Sequence, residues 1–164
     1  MSVAADNLSP MTYAQRKDLA VEVINLRIPG KPTPKGRPRF TKQGRTYTDA
    51  KTKLAEQAIL TAWLLTAGKR APHAGPVFVE LVATFEPPAS WPKWQREMAL
   101  AGEWAHTSKP DIDNLLKVID GLNGRAWIDD SQIVHATTRK QYGATAHTQI
   151  AITFVPPVTN PRSN

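Results

Sequence analysis

The chain has 164 residues, 41% hydrophobic and 21% charged, a length and composition suited to one globular domain with its own core. It has no cysteine, which excludes disulfides, thiolate nucleophiles, iron–sulfur clusters and Cys-based zinc sites. Lys and Arg outnumber Asp and Glu by 21 to 14, and the excess is local: residues 31–53 hold eight bases and one acid, and the remainder is balanced. A focused basic stretch suits a polyanionic partner, nucleic acid or an anionic surface, although a solvated lysine-rich loop has the same composition.

In chain order, residues 1–20 read as a flexible N-terminal segment in which Ser9-Pro10 could start a short helix. They have no apolar stretch of signal-peptide type, and no run approaches the ~18 apolar residues of a membrane span. Residues 21–28 read as a strand ended by Pro29-Gly30. Residues 30–47, with three Gly and three Pro among the bases, read as an extended loop or ragged hairpin. Thr48 then caps a helix over 49–67, with Leu54, Ala58, Thr61 and Leu65 along one side and Gly68 as its stop.

Residues 77–85 are β-prone and apolar at nearly every position, the pattern of a buried central strand. Residues 86–110 form a long connection rich in Pro and Trp, with a helical turn over 95–101; connections of this length are usually functional. A helix follows over 113–122, stopped by Asn123-Gly124. Residues 132–140 and 148–155 read as paired strands with a turn near Gly143, and 156–164 as a flexible tail. The expected order is β-α-β-α-β-β: an α+β (mixed α/β) single domain over 21–155, with a small mixed sheet and two main helices.

The chemistry concentrates in Lys109-Pro-Asp-Ile-Asp-Asn-Leu-Leu-Lys117 and Asp129-Asp130. On the helix, Leu115, Ile119 and Leu122 make the buried stripe, while Asp113, Lys117 and Asp120 share the opposite side. Asp111 stands two residues before Asp113, across the helix entrance. Two neighbouring carboxylates repel unless a cation neutralises them, and a hard ion such as Mg²⁺ takes oxygen ligands. A carboxylate returning from Asp129-Asp130 would complete a site able to polarise a phosphate and activate water. Lys117 could place its charge on the scissile phosphate. Each piece alone also has a structural reading: Asp113 as a helix cap, Asp113–Lys117 as a surface ion pair, Asp129-Asp130 as a turn.

An EF-hand counted from Asp111 fails, because Leu116 and Leu122 stand where Gly and Glu are needed. The four histidines lack paired metal spacing, although His106, five residues before Asp111, could approach the site. No phosphate-cradling Gly loop or G-x-S-x-G occurs, so neither a nucleotide cofactor nor serine hydrolysis is indicated.

The segment 109–117, then Asp120-Gly-Leu-Asn-Gly124 and Trp127-Ile-Asp-Asp-Ser-Gln-Ile133, resembles the RusA family of Holliday junction resolvases. Gly30-Lys-Pro-Thr-Pro-Lys-Gly-Arg-Pro-Arg-Phe40 with Tyr47-Thr48 resembles the basic segment of its phage-type members, and Pro88-Ala-Ser-Trp91 resembles their middle loop. The resemblance covers about residues 24–154. It implies an Mg²⁺-dependent endodeoxyribonuclease, with Mn²⁺ able to substitute, acting as a homodimer on four-way DNA junctions in a bacterial or phage-infected cytoplasm. It implies Asp111, Asp113 and Asp130 as essential acids and metal ligands, with Asp129 at the other position of the pair, and Lys117 as the essential lysine. Asp120 follows Lys117 by three residues where some relatives have four, which leaves its role open. The basic segment supplies the DNA-binding candidates Lys31, Lys35, Arg37, Arg39, Phe40, Lys42 and Arg45; Phe40 could equally anchor the loop to the core. A non-catalytic branched-DNA-binding protein and a nuclease for flaps are the competing readings.

Overall fold

A computed structural model describes residues 21–36, 42–44 and 49–157, with the backbone alone at 39–40 and 46–47. The expectations for residues 1–20, for Thr48 and for the end of the tail lie outside the described residues, as do Arg37 and Arg45 and the side chains of Arg39 and Phe40.

Strand β1 (Glu22–Pro29) is followed by a short antiparallel hairpin, β2 (Arg39–Phe40) with β3 (Thr46–Tyr47). Helix α1 (Ala50–Ala67) leads to β4 (Val77–Phe85), α2 (Lys93–Leu100) and α3 (Ile112–Leu116). A 3-10 helix (Lys117–Leu122), a second one (Asp130–Gln132), β5 (Ile133–Tyr142) and β6 (His147–Phe154) complete the domain. The fold is α+β, a mixed four-stranded sheet in the order β1-β6-β4-β5 with helices packed on it. No described helix is long and apolar enough to cross a membrane.

Alternation along β1, β4 and β6 turns Ile24, Leu26, Val77, Val79, Leu81, Ala83, Ile150, Ile152 and Phe154 into the core, against Ile59 and Trp63 of α1 and Leu115, Val118, Ile119 and Leu122. The opposite sheet face exposes Arg27, Glu80 and Gln149. Strand β4 is central in the sheet, as its apolar sequence requires, yet Glu80 is exposed.

Three expectations change. Strands β5 and β6 do not pair with each other: β4 lies between them, parallel to β5 and antiparallel to β6. The most apolar strand takes the position with two neighbours, and the half-exposed β5 takes an edge. The short 143–146 connection therefore crosses the end of β4, where the Gly143 N–H donates to the Phe85 carbonyl at 2.9 Å.

The expected helix over 113–122 is α-helical only to Leu116 and tightens to 3-10 geometry over Lys117–Leu122. There the chain runs against α1 so closely that a Cβ on Gly121 would stand 3.1–3.2 Å from Glu56 atoms. Tightening keeps Val118, Ile119 and Leu122 inward and Lys117 and Asp120 outward.

Helix α1 ends at Gly68, whose φ of 69° suits a residue without Cβ. It buries Thr52, Ile59 and Trp63, whereas Leu54 and Leu65 are 65% and 84% exposed. The helix is apolar around much of its girth, and the bulk of Trp63 decides which side enters the core.

Candidate active site

Asp111 is extended and stands at the N-cap position of α3, but its side chain makes no capping bond. Its carboxylate meets Lys109 Nζ at 3.5 Å. One helical turn on, Lys117 Nζ donates to Asp113 Oδ2 at 3.1 Å, the i, i+4 contact expected from the spacing. That hydrogen bond holds the Asp113 carboxyl below the ordinary carboxylate range. All four side chains are more than half exposed, so both pairs are loosely held and open to exchange.

Asp130 and Asp129 are used differently. Asp129 caps the 3-10 helix at 130–132: its Oδ1 accepts from the Ser131 N–H at 2.8 Å, which lowers its carboxyl pKa. Gln132 reciprocates, accepting from the Asp129 N–H through Oε1 and donating through Nε2 to the carbonyls of His73 and Gly75. Asp130 instead projects from the first position of that helix and accepts from the buried Trp127 indole N–H at 2.8 Å through Oδ1.

The basic segment is a strap tied at Lys35 and Gly36 to the acidic helix and to α1. The Lys35 N–H donates to the Asn114 carbonyl at 2.9 Å, and the Gly36 N–H donates to the buried Thr52 hydroxyl at 2.8 Å. Lys35 Nζ then bridges Asp120 Oδ2 at 2.8 Å and Glu56 Oε1 at 3.0 Å. Partial burial disfavours the Lys35 charge, but hydrogen bonds to the two carboxylates outweigh it and raise its pKa. Lys35 and Asp120 therefore lock three elements together, while Lys31 and Lys42 stay exposed. A groove of about 630 Å³ is lined by Ile28, Lys31, Pro34, Lys51, Leu54 and Ala58 rather than by Asp111, Asp113 or Asp130.

Lys140 was not among the sequence candidates. From β5 its Nζ donates to the carbonyls of Ser108 at 2.7 Å and Pro110 at 3.0 Å, fixing the chain as it enters α3. No local signal in the sequence marks this lysine, because its partners lie 30 and 32 residues away. His106 packs its ring between Phe85 and Tyr142, with centroids 4.3 and 4.8 Å away. Its Nδ1 is buried without a hydrogen-bond partner, and burial lowers its pKa.

Among the described residues, no three carboxylates or imidazoles converge as the ligands of one metal ion. The donor chemistry nevertheless suits a hard divalent cation: Asp111 and Asp113 present exposed carboxylate oxygens, opposed only by lysines that an ion can displace.

The family model described as "Endodeoxyribonuclease RusA" matches residues 29–153. The chain is also 31% identical over 142 residues to the uncharacterized protein YqaN of Bacillus subtilis (strain 168), a match covering 80% of this chain and 96% of that one.

Proposed function

The chain belongs to the RusA endodeoxyribonuclease family, and from that premise we propose that it is an Mg²⁺-dependent nuclease that resolves four-way DNA junctions by paired, symmetric nicks. The observation that carries this reading is the join at Lys35: the basic stretch is tied there, by its backbone to Asn114 and by its ammonium to Asp120, to the segment that bears Asp111, Asp113 and Lys117.

In this reading Asp111, Asp113 and Asp130 would hold Mg²⁺, or Mn²⁺ in its place. A bound ion supplies charge neutralisation at the phosphate and an acidified water. The chain does the rest. Lys31, Lys42 and the bases of 37–45 hold the phosphodiester backbone. Lys117, which donates to Asp113, would offer its ammonium to the scissile phosphate. Trp127 keeps Asp130 in one orientation, and Lys140 sets the entry of α3.

A junction must be cut on two strands of like polarity to yield duplexes. A C2 homodimer presents two such sites related by the symmetry of the substrate. The setting is a bacterial or phage-infected cytoplasm, where branched recombination intermediates arise.

The test is cleavage of synthetic mobile and immobile four-way junctions, with and without Mg²⁺, against flap and linear duplex controls. Symmetric Mg²⁺-dependent nicks near the branch point are expected, with Asp113→Asn abolishing them while junction binding survives. Full cleavage by that variant would remove Asp113 from the metal site. Preferential flap cutting would replace the substrate. A second reading, a non-catalytic binder of branched DNA, is favoured by the separated carboxylates; tight binding without nicks across several divalent ions would establish it.

A further inference from the structure

Between β4 and α3 the chain carries more aromatic surface than the core needs. Phe85, His106, Tyr142, Trp91, Trp104 and Trp94 form one continuous series of ring contacts. Trp91 meets Tyr142 at 5.4 Å and Trp104 at 6.0 Å, and Trp104 meets Trp94 at 6.1 Å, all edge-on. The inner end is buried at Phe85 and half-buried at His106 and Tyr142. The outer end is not: Trp94, in the first turn of α2, is 56% exposed. An indole so exposed at the end of a braced ring series has surface free to meet a ligand.

We propose that Trp94, braced by Trp104 and Trp91, is a stacking platform for an unpaired DNA base displaced near the branch point. The inference deepens the nuclease reading and rests on it for the substrate. Three observations favour a nucleic-acid base over an apolar peptide. The ring is held edge-on, which restrains its rotation without taking both faces. It lies between Lys93 and Arg96, both exposed, which can accompany a phosphate backbone; Glu97, the counter-charge, pairs with Lys93 at only 3.8 Å. The ring series passes through Tyr142 and His106, beside the Ser108–Pro110 chain that Lys140 fixes at the entry to the acidic helix. Aromatic side chains bind bases by stacking with little sequence preference, as a junction surface requires.

The full-length protein is titrated with a single-stranded oligothymidylate in the absence of divalent ions, and tryptophan emission is followed. Quenching is expected in the wild type. Trp94→Ala should lose most of that quenching and bind the oligonucleotide about ten-fold or more weakly, while Trp94→Phe stays within a few-fold. Four-way junction affinity should fall with Trp94→Ala, and linear duplex affinity should not. Because Trp94 is exposed, the melting temperature should not move, so misfolding is separable from lost stacking. Equal quenching and affinity in wild type and Trp94→Ala overturn the platform. Wild-type junction cleavage is read alongside: nicks with an indifferent Trp94→Ala defeat the platform alone, whereas quenching that Trp94→Ala removes, without nicks, supports the platform and defeats the nuclease reading.

Discussion

The Asp130 carboxylate accepts the indole N–H of Trp127 at 2.8 Å, and Trp127 is fully buried. A structural role and a metal-binding role therefore meet in one side chain, and two substitutions separate them. Asp130→Asn keeps an acceptor oxygen and removes the charge; it should melt like the wild type and lose cleavage. Asp130→Ala leaves a buried N–H unsatisfied, at a cost of about 1–3 kcal/mol, and should lower the melting temperature as well. Equal destabilisation by both would mean that charge, not the hydrogen bond, matters to the fold there.

Lys117→Ala should reduce turnover with little change in junction affinity, since Lys117 faces Asp113 rather than the basic strap. A collapse of binding would make it a phosphate anchor. His106 carries a pH signature. Burial depresses its pKa below the ordinary 6.5, so folding favours the neutral ring. That contribution is complete above pH 6.5 and is lost as pH falls through the depressed value. Melting temperature should therefore decline as pH falls below about 6.5, and His106→Phe should flatten that decline.

At the scale of elements, the join between the strap, α1 and the 3-10 helix depends on Lys35. Its raised pKa fixes the sign: the stabilisation is present below the ordinary value of 10.5 and is lost as pH rises through the raised one. Lys35→Met should cost about 1 kcal/mol in these partly exposed pairs and remove the extra alkaline loss of stability, read by thermal melts at pH 8 and 11. An unchanged melt would show that the backbone bonds to Asn114 and Thr52 hold the strap unaided.

The residues that made elements legible were local ones. The apolar run of β4 gives its bounds and its central place, and the i, i+4 spacing gives the Asp113–Lys117 contact. Strand partnership was not legible, because alternation in β5 and β6 reports which face is buried and not which neighbour is bonded. The 3-10 tightening depends on Gly121 meeting Glu56 across 65 residues of sequence, and the bracing of Pro110 by Lys140 depends on where β5 lies. The sequence shows those contacts of the site that a single helix turn can build. The contacts it hides are assembled by the sheet.

At the scale of the whole molecule, the net charge of +7 arises from residues 31–53, and the strap fixes one end of that stretch against α3. The stretch is thus tied at Lys35 and Gly36 beside the segment that carries the acids, where phosphate repulsion by Asp111 and Asp113 must be overcome. Binding should be strongly salt-dependent, because each neutralised phosphate releases counterions. The bases of the segment are not equivalent. Lys31 and Lys42 are exposed and should each contribute about one unit to the slope of log affinity against log salt. Lys35, between Asp120 and Glu56, has its charge compensated internally and should contribute little. Junction binding by fluorescence anisotropy from 50 to 200 mM salt, without divalent ions, measures the difference. Lys31→Ala, Arg37→Ala and Arg39→Ala should each give a shallower slope. Lys35→Met should weaken binding only through a looser strap, at an unchanged slope. A loss of slope in Lys35→Met equal to that of Lys31→Ala would mean that DNA draws Lys35 away from its carboxylates, and that the strap opens when substrate binds.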